Sequence, residues 1–314
     1  MIRVRELSKS WRGEVVVDRV SFDVRPGAVT GLLGPNGAGK TTTLKLLLGL
    51  AAPDSGTATV DGRNYCDLER ATTVVGSALD GALPLASSSP RRFLTMLARG
   101  QGVARSRVDE VIEVMGLTSV ARRPCRRFSL GMRKRVALSA AILCRPRYLV
   151  LDEPANGMDQ ASTVWLRTTL RQLAAEGTGI LLASHLLDEQ QRTCDQVVVM
   201  AAGRLVAAGP VGAVVSRYGD PHLEVTVLPA ETASLQERAG SAGIVLRPGE
   251  VPGVLTGPAF QLTAVGDLLG SGGFHPRGLR VLDGGLAAAY ENLTVAQQQH
   301  KLSALPQTHQ QRRP

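Results

Sequence analysis

At 314 residues with 44% apolar side chains, the chain is long enough for one large domain plus an appendage. Its net charge of +9, carried mostly by arginine, suits nucleic acid or an anionic membrane surface, while only 4% aromatic residues argues against stacking platforms for single strands. No apolar run approaches the roughly 18 residues needed to span a bilayer. The opening Met1-Ile2-Arg3-Val4-Arg5-Glu6 carries charge too early for a signal peptide, so a soluble or peripheral protein is expected.

The first informative element is a short apolar strand over 29–33, followed by Gly34-Pro35-Asn36-Gly37-Ala38-Gly39-Lys40-Thr41-Thr42 and a helix over 42–49. A glycine, four free positions, then Gly-Lys-Thr is the phosphate-loop pattern. Backbone N–H groups wrap a phosphate only where no Cβ blocks their approach, which is why the loop needs glycines. Lys40 adds a cation for the β- and γ-phosphates, and the Thr41 hydroxyl can ligate Mg²⁺. The helix N-terminus turns its partial positive charge toward the nucleotide. The pattern implies that the chain binds a nucleoside triphosphate.

Asp54-Ser55-Gly56 reads as a turn and 57–60 as a strand. Residues 89–146 read as helical. Ser89-Pro90 supplies an N-cap and first helical position, Phe93, Leu94, Met96 and Leu97 follow at helical spacing, and 108–115 repeats the pattern with Gly116 as its C-cap. Strands are expected at 148–151, 179–183, 197–200 and 204–207, with an amphipathic helix over 161–175 and another beginning near Leu186. Such alternation predicts a parallel sheet covered on both faces. Composition shifts after Gly209-Pro210. Strands at 223–227, 261–263 and 279–281 and a helix over 286–292 predict a small α+β appendage, and the Gln-rich sequence from Ala296 predicts a disordered tail. The expected domains are therefore 1–210, 211–295 and 296–314. The cysteines (Cys66, Cys125, Cys144, Cys194) lack any paired spacing, and free thiols in a reducing cytoplasm are expected.

Leu149-Val150-Leu151-Asp152-Glu153-Pro154 is an apolar strand that delivers two acids at its C-terminal end, the edge where ligands sit in an open α/β sheet. There Asp152 is placed to hold the Mg²⁺ shell through water, and Glu153 to orient or deprotonate an attacking water. Phe128-Ser129-Leu130-Gly131-Met132-Arg133-Lys134-Arg135 precedes an apolar helix; alone, its Ser-Leu-Gly is an ordinary N-cap. Its position some twenty residues before the acidic strand end gives it weight.

Taken in order, these motifs make the chain, over about residues 2–210, similar to the ATP-binding subunits of ABC transporters. The resemblance implies a P-loop NTPase fold of the ABC ATPase type, with a RecA-like core, an antiparallel β subdomain and a helical signature subdomain. It also implies that Ser129 and Gly131 reach across a dimer to the γ-phosphate held by the other subunit. Gly157-Met158-Asp159 resembles the loop that couples the two sites, His185 resembles the switch histidine at the γ-phosphate, and Trp11 stands where the family carries an adenine-stacking aromatic. Two departures stand out. The signature reads Phe-Ser-Leu-Gly-Met instead of the commonest Leu-Ser-Gly-Gly-Gln, a form similar to that of prokaryotic exporters of drugs, peptides and surface polymers. The family glutamine that ligates Mg²⁺ is replaced by Asp80, a carboxylate that can also ligate Mg²⁺.

The resemblance implies an Mg·ATP-hydrolysing exporter subunit at the cytoplasmic face of the membrane, with separate transmembrane permease subunits and a second, identical ATP-binding subunit as partners, and no nucleic acid. The appendage resembles extensions on exporter subunits of drug-resistance systems, which suggests an antibiotic or lipid-like cargo. Arg122, Arg123, Arg126, Arg127, Arg133 and Arg135 form the densest basic cluster, either a solvated face or a contact with an acidic membrane subunit or lipid headgroups. Two other readings stay open. A soluble ABC ATPase acting on ribosomes or DNA would carry tandem ATPase domains or a long heptad insertion, and neither is seen. A poorly hydrolysing nucleotide-dependent regulator is motivated by Asp80.

Overall fold

The computed structural model describes residues 1–79, 81, 84, 86–219, 221–249, 251–282 and 284–303. The chain divides into two compact units, Met1–Val211 and Gly212–Pro314.

The first unit opens with a hairpin of β1 (Ile2–Trp11) and β2 (Glu14–Val24). Its tight turn uses positive φ at Arg12 and Gly13, as the twist of two-residue hairpins requires. Then come β3 (Val29–Leu33), α1 (Lys40–Leu47), β4 (Ser55–Val60), α2 (Ala71–Val74) and β5 (Val75–Ala78). Three helices follow, α3 (Pro90–Gly100), α4 (Arg105–Val114) and α5 (Leu130–Ala141). The alternation resumes with β6 (Tyr148–Asp152), α6 (Gln160–Ala175), β7 (Gly179–Ser184) and α7 (Leu187–Thr193), and the unit closes on β8 (Gln196–Ala201) and β9 (Arg204–Pro210).

Strand β4 pairs antiparallel with the free side of β1, giving a three-stranded sheet of order β2-β1-β4. The larger sheet runs β5-β6-β7-β3-β8-β9, parallel except for the β8–β9 pair. Every residue of β3, β6 and β7 is buried, which is why these strands read as continuous apolar runs rather than alternating ones. Helix α1 contributes Leu44, Leu46 and Leu47 to one core with Ile2, Val4 and Val24 of the small sheet and Leu32, Val150 and Leu181 of the large one. Ser89 caps α3, with its side chain accepting from Arg92 N, and Pro90 takes the first helical position as expected. All four cysteines are free.

The second unit begins in α8 (Val211–Tyr218) and runs β10 (His222–Thr226), α9 (Thr232–Ser241), β11 (Arg247–Pro248), β12 (Val254–Pro258), α10 (Leu262–Ser271), β13 (Gly278–Leu282) and α11 (Leu286–Ser303). Its sheet, of order β11-β12-β10-β13, is antiparallel throughout. This is a split β-α-β arrangement, and its two halves repeat. Pro229 and Pro258 each lead through a 3₁₀ turn into a ten-residue helix. Leu235 and Ala239 in one helix correspond to the buried Val265 and Leu269 in the other. Gly243 and Gly273, both at positive φ, then end the two helical segments.

Two expectations for this unit need correction. Residues 261–263 are not a strand. Gln261 ends a 3₁₀ turn and α10 starts at Leu262, because Leu262, Val265, Leu268 and Leu269 recur at helical spacing. Helix α11 also continues through Ser303, into the stretch expected to be a disordered tail; its Ala, Gln, Lys and Leu residues are good helix formers and no Gly or Pro interrupts them before Pro306. Residues 304–314 lie outside the described residues.

Candidate active site

Three adjacent parallel strands, β6, β7 and β3, end side by side, with Asp152 opposite Ala183 and Ser184 opposite Leu33. The loop from Gly34 leaves β3 there and winds into Lys40, the first residue of α1. Gly39 caps that helix in the left-handed region at φ 95°, and a Cβ on it would sit 2.5 Å from the Val16 carbonyl oxygen. At Gly37, by contrast, no atom lies within 4 Å of where a Cβ would stand. Lys40 is 6% exposed, and its Nζ donates to the carbonyls of Gly34 (2.7 Å) and Pro35 (3.1 Å). The Thr41 hydroxyl donates to Asp152 Oδ2 at 2.8 Å. Pro35, Asn36, Gly37, Gly39, Lys40, Thr41 and Thr42 line one cleft of about 340 Å³ together with Val16, Glu153, Asn156 and His185. The buried Ala38 lies beneath the loop, its N–H donating to the Pro35 carbonyl.

Glu153 follows β6 in a left-handed conformation, φ 47°, a state that costs a non-glycine residue about 1 kcal/mol or more and persists only where its surroundings impose it. Its N–H donates to the Ala183 carbonyl at 2.9 Å. One carboxylate oxygen, Oε2, lies 2.9 Å from His185 Nδ1 and accepts from the Ser184 hydroxyl at 3.2 Å. The other, Oε1, is buried without a hydrogen-bond partner and sits 3.6 Å from Lys40 Nζ. A buried acceptor with spare capacity, aimed at the loop cation, suits a site that receives a donor from outside the chain.

Ser129 caps α5, accepting from Met132 N at 3.2 Å, and is itself exposed. Neither Ser129 nor Gly131 lines the cleft around the phosphate loop. Gly131 instead lies against Ser162, and Leu130 against Gly157. Asp159 caps α6 by accepting from Ser162 N at 2.8 Å. That hydrogen bonding, with the nearby Arg135 guanidinium, holds the Asp159 carboxyl below its ordinary range. Arg135 stacks 4.0 Å over the Trp165 ring, so it belongs to this packing rather than to an open basic face. Arg122, Arg123, Arg126 and Arg127 are exposed and form no ion pair among the described residues. Trp11, 48% exposed at the β1–β2 turn with Lys9 Nζ 4.8 Å from its ring centre, is not among the residues lining the cleft. Asp80 lies outside the described residues.

Sequence reasoning passed over Ser184, Asn156 and Lys134, whose Nζ donates to the Glu153 carbonyl at 2.6 Å. A serine closing an otherwise apolar strand was the available signal for the first. Nothing local marks the other two.

The sequence profile of the ABC transporter family matches residues 17–156. A Bacillus subtilis protein described as an uncharacterized ABC transporter ATP-binding protein, YhcH, is 32% identical over 81% of this chain and 87% of its own length. The chain belongs to the ABC transporter ATP-binding proteins. The daunorubicin/doxorubicin resistance ATP-binding protein DrrA of Streptomyces peucetius is 34% identical over 81% of this chain and 79% of its own length. Each of these alignments spans more residues than the first unit contains, so the likeness extends into the second. A solved structure of the ATP-binding subunit of an ABC transporter superposes on 70% of this chain and 93% of its own with a TM-score of 0.62 at 27% identity. The ABC ATP-binding subunit described here is thus an ATPase of the P-loop class. Its three-stranded antiparallel sheet, its parallel core and its α3–α5 helical segment are the parts expected of that fold.

Proposed function

We propose that this chain binds and hydrolyses Mg·ATP to power an exporter, working as a dimer of ATP-binding subunits at the cytoplasmic face of the membrane with separate transmembrane permease subunits. The observation that carries the reading is the meeting of Lys40, Thr41, Asp152, Glu153 and His185 at the ends of three neighbouring parallel strands. Glycine-lined space at Gly37 and a loop cation beside a buried carboxylate fit a triphosphate.

Residues 34–42 cradle the phosphates in this reading, and Lys40 exchanges its loop carbonyls for phosphate oxygens. Thr41 and Asp152, already hydrogen-bonded to one another, would hold Mg²⁺, with Asp80 as a second carboxylate, and the ion would supply positive charge for the β- and γ-phosphates. Glu153 orients the attacking water and draws its proton, while Ser184 and His185 fix the carboxylate and His185 reaches the γ-phosphate. Trp11 stacks on the adenine from the small sheet.

What one chain's cleft lacks supports the dimer. Ser129 and Gly131 are not among its lining residues, so the signature serves a nucleotide held by a second copy. Closure on ATP and reopening after hydrolysis then drive the partners. No helix among the described residues is long and apolar enough to cross a membrane, which supports a separate permease. The likeness to a drug-resistance protein, extending past the first unit, supports an antibiotic or lipid-like cargo.

The test is Mg·ATP hydrolysis by the purified chain, wild type against Glu153→Gln, with size exclusion in ATP. The reading requires an active wild type and an inactive variant that forms an ATP-dependent dimer. A chain that binds ATP yet neither hydrolyses it nor dimerises would favour the nucleotide-dependent regulator.

A further inference from the structure

Lys134 lies five residues beyond Ser129 on α5, more than one helical turn from the cap. Its ammonium donates to the main-chain carbonyl of Glu153 at 2.6 Å, a short hydrogen bond assisted by the charge of the donor. The same carbonyl accepts from Asn156 N at 3.2 Å, and the Glu153 N–H is held by Ala183 O at 2.9 Å. Both sides of a residue at φ 47° are therefore tied down, one by the neighbouring strand and the other partly by a side chain from the signature helix. A small rotation there would swing the carboxylate away from Lys40 and His185, whose contacts depend on its present aim.

We propose that Lys134 is a positioning residue that couples the signature helix to the aim of the Glu153 carboxylate. The proposal rests on the reading above, in which Glu153 acts on the chain's own nucleotide and Ser129 on that of a second copy. Engagement of Ser129 and Gly131 at one site shifts α5, and the Lys134 ammonium carries that shift to Glu153 at the other. The main-chain route through Gly157, Met158 and Asp159 links the same two places, so Lys134 provides a second, shorter connection. Leu130 packs against Gly157, so the two routes touch.

The experiment compares wild type, Lys134→Ala, Lys134→Arg and Glu153→Gln as purified full-length chains. Hydrogen exchange over 153–157 is followed without nucleotide, and ATP turnover is measured as kcat, KM and Hill coefficient. Lys134→Ala should speed exchange over 153–157 before any nucleotide is added, lower kcat on the order of tenfold, leave KM within about twofold, and bring the Hill coefficient toward one. Lys134→Arg should restore most of each. Wild-type exchange, kcat and cooperativity in Lys134→Ala would overturn the proposal. So would a variant that only melts earlier, with unchanged cooperativity in its folded fraction. Turnover by Glu153→Gln at the wild-type rate would instead refute the assignment of Glu153, while the exchange data still decide whether Lys134 holds the segment.

Discussion

His185 Nδ1 lies 2.9 Å from Glu153 Oε2, across the ends of two neighbouring parallel strands. With Glu153 ionised, Nδ1 must carry the proton and donate, so the ring orientation is set by the carboxylate, and in the proposed function Nε2 faces the nucleotide. The Ser184 hydroxyl donates to the same oxygen and accepts from Leu186 N at 3.1 Å, closing the arrangement from below. His185→Ala should therefore lower hydrolysis by about 10²–10⁴-fold, as expected when a positioned proton-transfer or charge-stabilising group is lost. Ser184→Ala should lower it less, because it removes one of two supports. Steady-state phosphate release separates the two.

Lys40 Nζ donates to two carbonyls of its own loop, at 2.7 and 3.1 Å. In the proposed function Lys40 donates instead to phosphate oxygens, and a hydrogen bond to a charged group contributes about 1.5–3 kcal/mol. Lys40→Ala should weaken ATP binding by roughly 10–100-fold, measured by titration with a fluorescent nucleotide. An unchanged affinity would remove Lys40 from the site.

Gly39 occupies φ 95°, and any Cβ there would meet the Val16 carbonyl oxygen at 2.5 Å. Gly39→Ala has to strain the backbone and displace the β2 segment, a loss of about 1–3 kcal/mol from the dihedral alone. The variant should show a lower urea midpoint and a larger proportional loss of nucleotide affinity, since the loop that must move is the binding loop. Gly37, at φ 82°, carries the same dihedral cost but has open space around it, so Gly37→Ala avoids the clash and should lower the urea midpoint less than Gly39→Ala.

Tyr148 is fully buried at the start of β6, and its hydroxyl donates to Asp61 Oδ1 at 2.8 Å. Burial, then the hydrogen bond to that carboxylate, pushes the phenol up to about 12. A phenol raised above its ordinary value of about 10 contributes stability that is whole below that value and is lost as pH climbs through about 12. Unfolding free energy should fall across that window by on the order of 2 kcal/mol more in wild type than in Tyr148→Phe. At neutral pH the variant should be less stable by about 1 kcal/mol. Paired denaturant titrations at pH 9 and pH 12 measure both.

What was legible in the sequence was whatever sits on consecutive residues. The phosphate loop, the acidic end at Asp152 and Glu153, the cap at Ser129 and the strand before His185 each place their chemistry within a few positions of a recognisable element, and local sterics and hydrogen bonding dictate such short segments. The split β-α-β repeat of the second unit was not legible. Its helices are short, and glycines at 240, 243, 266, 270, 272 and 273 dilute their apolar pattern. The run at 261–263 read as a strand because three residues cannot separate a period of 2 from one of 3.6.

By itself, then, the sequence determined that a triphosphate loop, two acids and a histidine exist and that each ends or begins a defined element. Only the tertiary structure decided that β6, β7 and β3 lie side by side, which sets Glu153 against His185, 32 positions away, and against Lys40, more than a hundred positions away. It also decided that Lys134 reaches the Glu153 carbonyl while Ser129 does not reach its own chain's cleft. The reason is physical. Strand order and helix docking are chosen by burial of apolar faces between distant segments, a non-directional force that leaves no local trace in the residues whose polar groups it brings together.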